Sequence, residues 1–289
     1  MTTIESSSVP DFGLEEAPGG IVSPYSDGVP TISYALLDGR GEVLRSYDEK
    51  RDFYSASTVK LGVLIASLRE VQSGAWSLDD EWIVTHEFTS IVPEAGRFVM
   101  EEEETDPGLG VPGDAVILAW VLNRMTTVSA NCATNMCFEA LGAEKIAVVS
   151  DDAGAPETRM GRPYSDAAGL AAGFSNTASA LGLARLMAAL VRGELLNAEL
   201  TAYAMDLLHK RDDPVISTVA NQLSEHDGFS VYTGGKGGSV DGIKHDVAFV
   251  RRGDETFSLA VCTRAYSIPQ GAAAISAIAH ALLEDAYGR

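Results

Sequence analysis

Ser57 and Lys60 are the first residues of this chain whose types and spacing could do chemistry. Three residues apart at the start of an apolar-periodic stretch, they share one face of a helix and come within reach of each other. A serine hydroxyl is a weak nucleophile until a base takes its proton, and a lysine can serve once burial or a neighbouring cation lowers its pKa toward neutrality. The N–H groups of the same helix start would face an oxyanion developing beside that hydroxyl. By itself the pair could equally be a helix-capping serine followed by an exposed lysine. Two further elements, in order, set it apart. Ser129-Ala130-Asn131 opens a second helix and offers another hydroxyl for proton transfer, with an amide to hold a substrate carbonyl. Thr233–Ser239 (TGGKGGS) lies at the end of a strand, where glycines let a substrate approach the backbone edge, and Lys236 brings positive charge there.

Taken together, these residues resemble the serine β-lactamase and penicillin-binding-protein superfamily, most closely its class A branch, whose signature runs S-x-x-K, S-D-N, K-T-G. The first motif matches in full; the second has Ala130 for Asp, and the third reads Lys236-Gly237-Gly238, with Gly for Thr. Flanking residues extend the likeness, Thr126-Thr127-Val128 and Ala133-Thr134-Asn135 around the second motif and Gly242–Phe249 after the third. The resemblance covers Thr31 to the C-terminus. It implies that Ser57 accepts the acyl group with Lys60 as its base, that Ser129 passes a proton to the leaving group with help from Lys236, and that Asn131 binds a substrate amide. It further implies an oxyanion hole from the backbone N–H groups of Ser57 and Ser239, and a substrate carboxylate received by Lys236 and Lys244, beside Gly237 and Gly238. Glycine at 237 removes a hydroxyl that would touch that carboxylate, so specificity should differ from the family's.

The larger departure concerns release of the acyl group. Aligning Thr158–Pro163 with the start of the family's active-site loop puts Tyr164 where class A enzymes carry the glutamate that activates water, and Ala168 near its asparagine partner. Asp166 is the one carboxylate within reach of that position; the competing reading makes it a loop residue capping a turn. Loss of an oriented general base costs about 10²–10⁴-fold in rate. The sequence therefore predicts a serine hydrolase or acyltransferase that forms acyl-Ser57 from a small amide, ester or lactam and hydrolyses it poorly. Two alternatives stay open: a true β-lactamase that deacylates through Asp166 or Lys60, and a non-catalytic small-molecule-binding protein on the same scaffold.

The elements that must position these groups follow from the patterning of the 289 residues. Thr31–Leu37 and Glu42–Tyr47 read as strands about a glycine turn. A helix runs from Ser57 to the Ser73-Gly74 stop. The stretch from Leu78 to Leu208 reads mainly helical, with segments at 115–126, 130–141, 178–191 and 198–208 and a non-helical interval at 151–175. Strands return at 229–233, 246–251 and 256–263, and a helix over 272–287 closes the chain. The fold class is α/β: an antiparallel sheet flanked by N- and C-terminal helices with an inserted all-helical domain, class A β-lactamase-like. The expected division is an extended N-terminal arm (1–28), an α/β domain (29–75 plus 216–289) and a helical domain (76–215).

Charge excludes other classes. Lys plus Arg number 21 against 41 Asp plus Glu, a net −20, which would repel a nucleic-acid backbone or an anionic membrane. The partner expected is a small-molecule substrate, with no cofactor and no metal. The five histidines are scattered without ligand spacing, Glu101–Glu104 reads as a solvated run, and Cys132, Cys137 and Cys262 read as buried free thiols. His245 reads as a strand-end residue facing solvent, or else as lining the pocket. The N-terminal residues lack a basic start followed by an apolar stretch, so the chain as given reads as cytoplasmic.

Overall fold

The computed structural model describes residues 20–288. The expected arm falls largely on residues 1–19, outside them. From Gly20 the chain forms a small ribbon, β1 (Val22–Ser23) and β2 (Ser26–Asp27), tied down by Ile21 N–H to the Ala265 carbonyl at 2.9 Å and Ser23 Oγ to the Asp241 carbonyl at 2.8 Å.

Next come β3 (Thr31–Leu37), β4 (Val43–Tyr47) and the short β5 (Phe53–Tyr54), then a 3-10 turn over Ala56–Val59 leading into α1 (Lys60–Ser73). The 81–117 stretch, read as mainly helical, holds two two-stranded ribbons instead. They are built from β6 (Glu81–Ile83) with β9 (Ala115–Ile117) and β7 (Glu87–Thr89) with β8 (Arg97–Val99). Each strand has three residues, too few to show a two-residue period in the sequence. The helices α2 (Leu118–Thr127), α3 (Asn131–Leu141) and α4 (Ala143–Asp152) follow. Then come β10 (Arg159–Met160), α5 (Ala167–Ala171), β11 (Asn176–Ala178), α6 (Ala180–Val191), α7 (Ala198–His209) and α8 (Val215–Asp227). The chain ends in β12 (Tyr232–Val240), β13 (Ile243–Arg252), β14 (Glu255–Arg264) and α9 (Ile268–Ala286). Helix α4 falls within the stretch read as mainly helical, α5 lies inside the interval read as non-helical, and α8 lies beyond the expected helical segments.

The main sheet is five-stranded and antiparallel, in the order β12-β13-β14-β3-β4. Its central strands are buried on both faces, and two cores result. One face packs Ile32, Tyr34, Val250, Leu259 and Val261 against Ile216 and Val219 of α8 and Ile275 and Ile278 of α9. The other contributes Ala35, Leu37, Val247, Phe249 and Ala260 to a large cluster with α1, α3, α6 and α7, centred on residues such as Leu64, Ile65 and Leu186. Burial of α1 from Lys60 through Leu68 fixes the first motif rigidly between the sheet edge β12 and the helical part. No helix among the described residues is long and apolar enough to cross a membrane.

Candidate active site

Ser57 sits in the 3-10 turn, against which strand β12 packs through Gly238. A Cβ placed on Gly238 would lie 2.5 Å from Ser57 N and 2.9 Å from Ala56 Cβ, so the strand can run this near the serine only because position 238 has no side chain. Backbone strain gathers here as well. Ala56 (φ +45°), Ser129 (φ +66°), Ser165 (φ +66°) and Asp213 (φ +51°) are non-glycine residues in the left-handed region, and all four lie in or beside the site.

Lys60 is buried, and its ammonium is held by Ser129 O at 2.6 Å, Asn131 Oδ1 at 2.7 Å and Ser129 Oγ at 3.3 Å. Burial, then the nearby charge of Lys236, holds its pKa well below the ordinary lysine value. Lys236, also buried, donates to Ser129 Oγ at 2.9 Å and to its neighbour's carbonyl, Gly237 O, at 3.3 Å. Burial first, then Arg211 and Lys244, lower its pKa to about 7. One hydroxyl thus lies between two lysines whose pKa values burial holds below the ordinary lysine range, that of Lys236 at about 7.

The cavity in front of Ser57 measures about 330 Å³, and Ser129, Asn131, Lys236, Gly237, Gly238, Ser239 and Lys244 all line it. Of the eleven residues singled out in the sequence, three are placed elsewhere. Lys60 lies just behind the lining. Tyr164 is also behind the wall, its ring 4.5 Å from Lys60 Nζ, its hydroxyl donating to Ala56 O at 2.8 Å and hydrogen-bonded to Ser57. Asn135 clamps it through the backbone, accepting from Tyr164 N at 2.8 Å and donating to Tyr164 O at 2.9 Å. Burial raises the phenol's pKa well above its usual value, so it stays protonated at neutral pH. Asp166 is buried away from the cavity. It caps α5 through Gly169 N at 2.9 Å and takes Ser90 Oγ and Ile91 N, each at 2.8 Å. The turn-capping reading of Asp166 describes this placement, and the pocket reading does not. His245 fits neither expectation: it is fully buried under Phe53 and bonded to the Tyr54 and Lys244 carbonyls and Thr263 N, with burial pulling its pKa to about 4.

The structure adds residues that sequence reasoning missed. Arg211, on the loop between α7 and α8, lines the cavity and forms a buried ion pair with Asp246, whose carboxylate also takes Val215 N and Ile216 N at the start of α8. Its guanidinium lies 3.0–3.3 Å from where a Cβ on Gly237 would be. A side chain at 237 would collide with it, so the glycine of the third motif and this arginine are complementary. Asp212 and Asp213 complete the wall, and Lys244 Nζ pairs with Asp213 Oδ2 at 2.6 Å. The cluster Lys210–Pro214 carries no spacing that announces a pocket; its charge density next to a proline was the only signal.

A family model described as "Beta-lactamase enzyme family" matches residues 20–286. No curated protein matches the chain. Among solved structures, the chain is similar to a β-lactamase from Sphaerobacter thermophilus DSM 20745 (24% identity, 89% of this chain and 91% of that one, TM-score 0.71). It is also similar to PBP-A (18%, 94% and 93%, TM-score 0.70). A leucine-to-glutamate variant of PBP-A, solved as the acyl-enzyme complex with penicillin G, aligns over 88% of this chain and 91% of that one at 18% identity and TM-score 0.66.

Proposed function

The chain belongs to the β-lactamase enzyme family, and on that premise we propose that it is a serine hydrolase or acyltransferase that forms an acyl-Ser57 intermediate and releases it to water slowly. Ser57 Oγ attacks the carbonyl of a small amide, ester or lactam, and its proton passes to Lys60. The developing oxyanion is met by the N–H groups of Ser57 and Ser239. Ser129 gives its proton to the leaving nitrogen or oxygen and regains one from Lys236, whose pKa of about 7 suits that exchange.

The observation that carries slow release is the seat of Tyr164. A protonated phenol packs against both Ser57 and Lys60, the space in which a base and its water would stand, and it cannot accept a proton at neutral pH. Asp166 supports no rescue, because its oxygens are spent on Ser90, Ile91 and Gly169. The acyl group is therefore free to pass to an amine or hydroxyl acceptor. Among similar folds, the PBP-A variant was solved as an acyl-enzyme complex with penicillin G.

An intact-mass time course with β-lactams and small acyl esters and amides tests the reading. A persistent added mass on the parent, absent from Ser57→Ala, is expected. Fast substrate loss without an adduct would refute slow release, and unchanged turnover in Ser57→Ala would refute the nucleophile.

A further inference from the structure

The resemblance leads one to expect an anion-receiving end to this cavity, yet every cation there already has a partner. Arg211 is paired with Asp246 beneath it and donates a second time to Asp213 O at 2.6 Å. Lys236 is directed at Ser129 Oγ and Gly237 O. Lys244, with only 5% of its side chain exposed, is paired at its Nζ with Asp213, whose side chain is 79% exposed at the rim. Asp213 therefore sets one carboxylate oxygen on the ammonium from the solvent side. Asp213 has a left-handed backbone, and Arg211 donates to its carbonyl. Asp212, next to it, adds another carboxylate to the lining. The end of the cavity thus presents three cations and, counting Asp246, three carboxylates.

We propose that Asp213 is a specificity-determining residue that occupies the anion-receiving position with the chain's own carboxylate, so that the enzyme takes acyl donors whose non-reacting end is uncharged or carries an ammonium group. This rests on Ser57 being the acyl acceptor. A donor bearing a carboxylate at that end would have to displace Asp213 from Lys244 and then lie against it and Asp212, and like charges at such distances discriminate strongly between ligands. An amide or hydroxyl could hydrogen-bond to Lys244 or Asp213 without displacing either. An ammonium would meet the outward side of the two aspartates.

The test uses three phenylboronic acids that differ only in a meta carboxylate, carboxamide or aminomethyl group. In each, Ser57 Oγ adds to trigonal boron, the serine proton is released, and a reversible tetrahedral adduct forms, so that affinity is read without turnover. In the parent the carboxamide and aminomethyl probes are expected to bind roughly tenfold or more tightly than the carboxylate, and Asp213→Asn should bring the carboxylate to within about threefold of the others. Equal or tighter binding of the carboxylate by the parent would overturn the proposal; that comparison needs no variant. A ratio unmoved by Asp213→Asn in a folded variant would overturn the assignment to this residue. Failure of all three probes to form an adduct would overturn the Ser57 reading and the inference with it, whereas adducts without charge preference would overturn the inference alone.

Discussion

Replacing Lys236 by Met should stabilise the folded protein at pH 6 while removing the proton donor that serves Ser129. In the unfolded chain this lysine has its ordinary pKa of 10.5; folding buries it beside Arg211 and Lys244 and lowers the value to about 7. The drop corresponds to ~5 kcal/mol at 1.36 kcal/mol per tenfold. Below pH 7 both states hold the proton, and the folded state bears the whole cost of a buried charge. Between about 7 and 10.5 the unfolded state binds more protons than the folded one, so stability rises with pH and the cost fades to nothing near 10.5. Methionine of similar length removes the cost but forfeits the hydrogen bonds to Ser129 Oγ and Gly237 O, at about 1 kcal/mol each. The expected gain is therefore ~3 kcal/mol at pH 6, close to zero near pH 9, and a small loss above that. Urea unfolding of parent and variant at pH 6, 7.5 and 9 reads it directly. A variant less stable than the parent at pH 6, or a difference that ignores pH, would show that Lys236 is not a strained cation and that its fitness for proton transfer has another origin.

Gly238→Ala should slow acylation of Ser57 by about 10²-fold or more, because the new Cβ meets Ser57 N at 2.5 Å and shifts β12 off the serine; Gly237→Ala, whose Cβ meets the Arg211 guanidinium at 3.0–3.3 Å and asks it to give by a few tenths of an ångström, should cost less in the same mass-spectrometric rate assay. Arg211→Met leaves the Asp246 carboxylate buried with two backbone N–H partners and should destabilise by about 3–5 kcal/mol, most of it recovered in the double variant with Asp246→Leu, as measured by urea unfolding.

How much of this was legible depended on whether a residue's neighbours lie close to it in the chain. Ser57 and Lys60, three residues apart at a helix start, were placed together by spacing alone, whereas Ser129 and Asn131 were found as neighbours at the opening of another helix. Lys236 was found through the glycines that let its strand approach. Arg211 and Asp213 were missed because their meaning comes from Asp246 and Lys244, more than thirty residues away on β13. His245 was misread for the same reason: alternation along β13 cannot reveal that Phe53 and Tyr54 cover it from across the fold. Asp166 shows the converse, since its capping of Gly169, three residues on, was a local contact and was readable as such. The ribbons between residues 81 and 117 were illegible because three-residue strands have no period to detect, and α4 because its apolar residues fall together at Ile146–Val149 instead of recurring along one face.

The pairing of β3 with β14 bears on how the protein is made. Leu37 lies opposite Ser258 and Thr31 opposite Arg264, so the strand that leads into Ser57 completes its hydrogen bonding only with a strand more than two hundred residues later. At synthesis rates of about 5–20 residues per second, β3 leaves the ribosome roughly ten to forty seconds before its neighbour exists. Until then its Ile, Tyr and Leu side chains and one row of its amides have no native cover, and for most of that interval the β12 backbone that approaches Ser57 through Gly238 is equally missing. The nucleophile is thus translated early and assembled late. A nascent chain stalled between α3 and β12 holds the first two motifs without the third, and one stalled between β12 and β14 holds all three while β3 still lacks its neighbour.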